Sequence, residues 1–341
     1  MTLKTMPITS EHSTDQLRFI VKVARLYFEQ GLKQPEIATK LGLSQARVSR
    51  LLKQAEAIGV VKTTVHLPAG MFTGLEERLE QAYGLREVIV VDTGDESEAV
   101  ISALASSAAA YLETALVGAQ RIGISSWSET LLATVNAMRP VSKAGITQVV
   151  QVLGGLGQPS SQAHATRLTE RLAQLLGAQA VFLPVPGVVG SSRVYKSLLR
   201  DPSVSSVINS FENLSLVLLG IGSLNPSRLI RESGNVISEQ DQQALREAGA
   251  VGDVCQRFFD VHGKALQTVM HDRVIGISPK QLQKVPRRIG IAGGSSKFEA
   301  IRAAALGKWV DTLITDLHTA ERLLKAHLDL GSLRYLEILI R

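Results

Sequence analysis

The chain has 341 residues, of which 45% are apolar and 20% charged, with a formal net charge of +6. That length exceeds one ordinary domain and supplies ample core, while no run of about 18 apolar residues offers a membrane span. The polar opening MTLKTMPITSEHSTDQ has no apolar signal segment, and the single cysteine, Cys255, excludes an internal disulfide and fits a reducing cytosol. A cytoplasmic protein with no membrane partner is therefore expected.

Charge is unevenly spread. Residues 1–70 carry ten Lys/Arg against five Asp/Glu, and the remaining 271 carry 27 against 26. The positive excess thus sits in the first fifth of the chain, where it suits phosphate contacts. Residues 1–14 read as a flexible tail, and 15–68 as a helix-turn-helix DNA-binding domain. Leu17, Ile20, Val21, Ala24, Leu26, Tyr27 and Phe28 give an apolar scaffold helix ending at Gly31. Gln34–Lys53, QPEIATKLGLSQARVSRLLK, then holds two short helical patterns about a tight turn. Ile37 and Leu41 share one face, and Val48, Leu51 and Leu52 form the matching face. Gly42 supplies the positive φ of a sharp bend, Ser44 caps the second helix, and Ala38 is small where the helices meet. Outward on the second helix stand Gln45, Ala46, Arg47, Ser49, Arg50 and Lys53, donors and cations suited to base edges and phosphates. Val60–His66 is β-rich and reads as a strand or small wing.

Residues 69–84 are expected to form a linker helix with Phe72, Leu75, Leu79 and Ala82 on one stripe. That stripe could pair two protomers or pack on its own domain. From 85 to 341 apolar strands alternate with helices: Glu87–Val91, Ser97–Leu116, Arg121–Ser125, Glu129–Met138, Gln148–Leu153, Gln162–Leu176, Ala180–Leu183 and Leu216–Ile221. Arg273–Ile277, Arg288–Ala292, Lys297–Leu306, Thr312–Thr315 and Thr319–His327 continue the pattern. Such alternation implies an α/β domain, a parallel sheet covered on both faces. Ligands on such sheets bind at the carboxyl ends of strands.

Four strand ends qualify. Ser125, Ser126, Trp127, Ser128, Glu129 and Thr130 lead a strand into a helix start, an anion site or ordinary capping. Gly293, Gly294, Ser295, Ser296 and Lys297 open another helix with two glycines for close approach, hydroxyl donors and a cation, though without the GxxxxGK[ST] spacing. Asp253, beside two glycines, is placed to accept from sugar hydroxyls or to satisfy its own turn. Gln151 precedes Gly154-Gly155, where Pro159 argues against a helix start. Gly220-Ile221-Gly222-Ser223 is a weaker site of the same kind. Cys255 reads as packing, and the histidines show no metal-ligand spacing; neither a metal nor a cofactor is expected.

Taken in order, QPEIATKLGLSQARVSRLL, IGISSWSETLL, VVQVLGG, VLLGIGS, GAVGDVCQRFFD, IAGGSSKFEAIRAAALG and LITDLHTAERLL resemble the SorC-type sugar-binding transcriptional regulators over almost the whole chain. The resemblance implies a winged helix-turn-helix followed by a Rossmann-like effector domain related to ribose-5-phosphate isomerase and glucosamine-6-phosphate deaminase. It also implies operator DNA as a partner, a sugar phosphate or related carbohydrate as effector, and a homo-oligomer, dimer or tetramer. Carried over, Ser295, Ser296 and Lys297 would hold the phosphate, with Gly293 and Gly294 allowing approach. Asp253 would take sugar hydroxyls, and the Ser125–Thr130 turn and Gln151 would close the pocket. Ser128 stands where the family commonly has glycine, and Leu153 where it commonly has a polar residue. The competing class is a sugar-phosphate isomerase or deaminase with a DNA-binding appendage. It needs a positioned base; Asp253 and Glu129 are the nominees, without a paired acid.

Overall fold

Gly42 and Ser44 set the geometry of the N-terminal unit. The computed structural model describes residues 14–61, 71–93, 97–141, 145–233, 235, 237–268 and 270–340, and the chain divides into two units, Met1–Pro68 and Ala69–Arg341. The tail read over 1–14 and the wing over Val60–His66 therefore fall almost wholly outside the described residues. In the first unit α1 (Thr14–Ala24) precedes α2 (Gln34–Leu41) and α3 (Gln45–Ala57). Gly42 ends α2 at φ 65°, a left-handed value that a side chain would resist. The Arg47 N–H donates to the Ser44 hydroxyl at 3.3 Å, capping α3. Ile20, Val23, Ala24 and Leu26 then bury against Ile37, Ala38, Val48, Leu51, Leu52 and Ala55. Each fully buried aliphatic side chain there contributes about 1.5–3 kcal/mol.

One detail differs from the sequence reading. Tyr27 and Phe28, read as part of the apolar scaffold helix, are 37% and 47% exposed. Arg25–Glu29 forms a wider turn, in which the Gln30 N–H reaches the Arg25 carbonyl five residues back at 3.1 Å. The extra residue in that turn rotates both rings off the core face, where they stack edge-to-face at 4.9 Å.

The second unit is α/β. Its strands are β1 (Glu87–Val91), β2 (Arg121–Ile124), β3 (Gln148–Gln151), β4 (Gln179–Val181), β5 (Leu216–Gly220), β6 (Gly222–Ser223), β7 (Ala250–Val254), β8 (Arg257–Asp260), β9 (Arg288–Ile291) and β10 (Thr312–Asp316). Seven form one sheet in the order β1-β10-β9-β5-β2-β3-β4, every pair parallel. A small antiparallel sheet, β6-β7-β8, stands beside it. Alternate residues of the main sheet feed two separate cores. Val88, Val90, Val217, Leu219 and Leu313 enter one; Ile89, Val91, Leu216, Leu218 and Ile314 enter the other. Burial on both faces is why these strands are uniformly apolar.

Helices α4 (Thr73–Tyr83), α5 (Ser97–Ala115), α6 (Glu129–Ala137) and α7 (Pro159–Leu176) belong to the first half of this unit. Pro159 does not block a helix: it is the first residue of α7, where its missing N–H has no partner to lose. Next come α8 (Ser192–Leu198), α9 (Pro202–Ser210), α10 (Arg228–Glu232) and α11 (Glu239–Glu247). Then follow α12 (Pro279–Lys284), α13 (Phe298–Leu306) and α14 (Leu317–Ile340). Arg273–Ile277, read as a regular element, is no strand of either sheet; it makes isolated bridges outside the named strands, Gly276 to Leu153 and Val274 to Val188. Backbone bonds such as Ile277 N–H to the Val152 carbonyl (2.7 Å) hold it together with the buried Arg257 guanidinium, which donates to the carbonyls of Ile277 (3.2 Å), His271 (2.8 Å) and Val274 (3.0 Å).

The stripe on α4 packs on its own unit: Leu79 and Tyr83 are buried, with Phe72, Leu75 and Ala82 against them. Of the two readings open for the stripe, packing on its own unit is the one observed. Glutamates on α4 also meet the outermost strand. The Val88 N–H donates to Glu80 Oε1 at 3.0 Å, and the Val90 N–H to Glu76 Oε1 at 2.9 Å. Among the described residues no helix is long and apolar enough to cross a membrane.

Candidate functional site

The sheet changes direction between β2 and β5. From β2 the chain builds outward through β3 and β4, then returns to place β5 on the other side of β2. Crevices outside the carboxyl ends of strands at such a switch point are where ligands lodge. A cavity of about 400 Å³ lies there. Its walls come from the ends of β2 (Ser125 and Trp127–Thr130), β5 (Gly220–Ser227), β7 (Asp253, Cys255, Gln256) and β9 (Gly293, Gly294, Ser296, Lys297). Three stretches singled out in the sequence thus converge on one space, joined by the weaker Gly220–Ser223.

After β2, Ser128 caps α6 by accepting the Leu131 N–H at 3.2 Å, and it packs against Gly220, where a Cβ would meet its hydroxyl. Capping therefore explains Ser128. Trp127 is buried, its indole N–H donating to the Gly154 carbonyl at 3.0 Å, so its position is fixed. Glu129 Oε1 accepts the Leu229 N–H at 3.1 Å, tying the β2 turn to the segment that borders the cavity after β5.

At the end of β7, Asp253 is 8% exposed and accepts the Gln256 N–H on Oδ2 at 2.8 Å. It satisfies its own turn and still faces the cavity. Glycine at 222 is required beside it, because a Cβ there would collide with Oδ1. Burial pushes the Asp253 carboxyl up to about 6, against the pull of the Gln256 N–H and the Lys297 charge. Burial lowers the Lys297 ammonium, opposed by the charges of Asp253 and Glu129. A lysine at a cavity wall that feels two carboxylates without an ion pair to either among the described residues can pair with an anion or donate to neutral oxygens. Cys255 is buried against the Ser125 hydroxyl, and burial drives its thiol up to about 12. It is a packing residue at neutral pH.

After β9, Gly293 passes under Leu104 and the Asp316 carboxylate with no room for a Cβ. Ser295–Lys297 form a single turn that leads into α13. Lys297 donates its N–H to the Gly294 carbonyl at 3.0 Å. The Ser295 and Ser296 amides, at the start of that turn, have no earlier turn to donate to.

Three of the residues read as site residues stand outside the cavity wall. Gln151 is buried beneath it, pressed against Gly155, with Oε1 accepting the Leu183 N–H at 3.0 Å. Ser126 is fully buried and donates to the Leu153 carbonyl at 2.6 Å. Ser295 is exposed beside Ser296. Among residues not singled out from sequence, Asn225, Ser227 and Arg231 line the cavity, and two more stand out. Asp316 accepts the Gly294 N–H at 2.7 Å, and Gln256 forms part of the wall. The Asp in LITDLHTAERLL, directly between a strand and a helix, was the available signal for the first.

The sequence pattern described as "Putative sugar-binding domain" matches residues 68–325. The chain belongs to the SorC family of sugar-binding transcriptional regulators. This SorC-family chain is 29% identical to the sorbitol operon regulator of Klebsiella pneumoniae over 318 residues, 92% of the chain and 99% of that regulator. It is 30% identical to the deoxyribonucleoside regulator of Bacillus subtilis over 304 residues, 89% of the chain and 96% of the relative. The crystal structure of full-length SorC from Klebsiella pneumoniae superposes with a TM-score of 0.68, covering 92% of this chain and 100% of that one. Residues 22–56 also match the Sigma-70, region 4 pattern. This SorC-family protein is a sugar-responsive DNA-binding regulator. On its α3, Gln45, Ala46, Arg47, Arg50 and Lys53 are exposed and Ser49 half-buried, opposite the buried Val48, Leu51 and Leu52.

Proposed function

We propose that a sugar phosphate or related carbohydrate binds in the cavity at the strand ends, and that its occupancy sets the affinity of α3 for operator DNA. The observation that carries this reading is Lys297. It lies half-buried in the wall with Asp253 and Glu129 near its charge and no ion pair of its own among the described residues. Ser296 and Lys297, with the amides of Ser295 and Ser296, would hold the phosphate. Gly293 and Gly294 let it approach, and the Gly294 N–H stays with Asp316. Asp253 would read hydroxyls, since like charges repel a phosphate there. The Ser125–Thr130 turn would shape the other wall, and Gln151 and Ser126 would support it from beneath.

On the DNA side, Gln45, Ala46, Arg47, Ser49, Arg50 and Lys53 would meet bases and phosphates in the major groove. In this reading residues 15–68 bind DNA, 69–84 link, and 85–341 sense the effector and assemble a cytoplasmic homo-oligomer, since one helix-turn-helix covers a half-site. The all-parallel sheet with helices on both faces and a ligand crevice at its switch point supports a Rossmann-like reading, related to ribose-5-phosphate isomerase and glucosamine-6-phosphate deaminase. We read the protein as a sensor rather than as an enzyme, in keeping with relatives named as regulators.

Calorimetry with ribose 5-phosphate, fructose 6-phosphate and glucitol 6-phosphate, each beside its unphosphorylated parent, tests the site. Lys297→Ala should weaken the phosphorylated ligand at least tenfold and leave the parent sugar nearly unchanged. Equal affinity for the phosphorylated ligand in wild type and variant would place the phosphate elsewhere. Turnover of any of these sugars would favour the isomerase or deaminase class.

A further inference from the structure

The hairpin between β7 and β8 turns through Cys255 and Gln256, at φ 52° and 58°. Two successive left-handed residues make the two-residue hairpin turn that favours Asn-Gly, because glycine and asparagine tolerate that region. Here neither position holds one. Gln256 is also 7% exposed, and its Oε1 is buried with no hydrogen-bond partner. No hydrogen bond of its carboxamide forms among the described residues; only its backbone N–H is engaged, by Asp253. Its residue forms part of the cavity wall, next to Asp253.

A strained backbone and an unpartnered buried amide thus coincide at one residue, at the rim of one cavity. Each is unfavourable alone. Packing explains neither, since glycine would relieve the first and a leucine of similar size would remove the second. We infer that the Gln256 carboxamide is a specificity-determining group that exchanges hydrogen bonds with a carbon-bound hydroxyl of the ligand, beside the hydroxyl read by Asp253. This rests on the cavity being the carbohydrate site. The carboxamide offers both a donor and an acceptor, which a hydroxyl can match in either sense. Asp253, an acceptor when ionised, and Gln256 together present a wall suited to adjacent hydroxyls rather than to phosphate, which Lys297 serves on the opposite loop. The ligand end facing β7 would then be a polyhydroxylated carbon chain or ring.

Three full-length proteins test this: wild type, Gln256→Gly and Gln256→Leu. Thermal unfolding of the free proteins should show Gln256→Gly at least as stable as wild type, because glycine relieves the turn. Calorimetry with ribose 5-phosphate, fructose 6-phosphate, glucitol 6-phosphate and inorganic phosphate gives the binding readout. For whichever sugar phosphate wild type binds, both variants should lose at least tenfold in affinity. Inorganic phosphate, with no carbon-bound hydroxyl, should show no difference among the three proteins. Sugar-phosphate affinity equal to wild type in either folded variant would overturn the assignment while leaving the cavity reading intact. A lower melting temperature for Gln256→Gly would overturn the premise that the turn is strained. If wild type binds none of the three sugar phosphates, the cavity reading falls and takes this one with it.

Discussion

The Asp316 carboxylate accepts the Gly294 N–H at 2.7 Å and the Thr319 hydroxyl at 2.7 Å on Oδ2, and the Thr319 N–H at 2.9 Å on Oδ1. One buried side chain therefore fixes both the turn at the cavity and the N-terminus of α14. Farther along α14, the Leu323 carbonyl accepts the Tyr83 hydroxyl of α4 at 2.8 Å. A contiguous path runs from the Gly293–Lys297 turn to α4.

We predict that Asp316→Ala destabilises the protein by on the order of 3 kcal/mol, since several charge-assisted hydrogen bonds lose their acceptor at once. Urea unfolding measures it. If the path carries coupling, ligand should slow amide exchange in α4 of wild type and not of the variant; equal protection in both would refute the path.

Arg47 and Arg50 should be the informative positions on α3. With a duplex selected by the wild-type protein, a base-contacting arginine replaced by Ala should lose about 1–3 kcal/mol and relax sequence preference, whereas a phosphate contact should reduce the salt slope. Titrations at several salt concentrations separate the two. Unchanged affinity in both variants would move the reading surface elsewhere.

The raised Asp253 carboxyl gives a pH signature. Its folded value of about 6 lies above the ordinary 3.8, so the folded protein holds the proton more tightly than the unfolded chain. The stability this contributes is full below about 4 and lost as pH rises through 6. Asp253→Asn should therefore gain stability relative to wild type on going from pH 4 to pH 7. The ionised carboxylate is the stronger acceptor, so effector affinity should fall more steeply below pH 6 in wild type than in Asp253→Asn, where only the effector's own phosphate titrates. Parallel calorimetry at pH 5 and pH 7.5 decides it.

Much of the fold was legible because its signals are local. Gly42, Ser44 and the 3.6-residue spacing of Val48, Leu51 and Leu52 mark the helix pair, and uninterrupted apolar runs mark the central strands. The site was legible only as loops. Glycines, serines and a lysine after strands announce a place for a ligand, but not which side chains face it. Gln151 follows the same pattern as Asp253, yet its amide turns to the Leu183 N–H, a partner 32 residues away. Tyr27 and Phe28 were misplaced by a single wide turn, to which apolar periodicity is blind. The α8 and α9 helices are seven and nine residues long and begin at capping side chains, Ser191 and Asp201, so they offered little periodicity to detect. Asp316 could be read as a helix start, but its bond to the Gly294 N–H, 22 residues away, and the left-handed turn at Gln256 show only in tertiary geometry.

The glutamates of α4 have a consequence for solubility. An outermost strand normally presents unpaired amides that recruit a further strand from another molecule. Here Glu76 and Glu80 occupy the Val90 and Val88 amides, so β1 is shielded as long as α4 stays in place. Proteolysis between the two units that also removes α4 would uncover that edge together with the apolar surface beneath Leu79 and Tyr83. A chain shortened to begin at Leu85 should then polymerise edge to edge at concentrations where one beginning at Met71 remains dispersed, a contrast that light scattering would register.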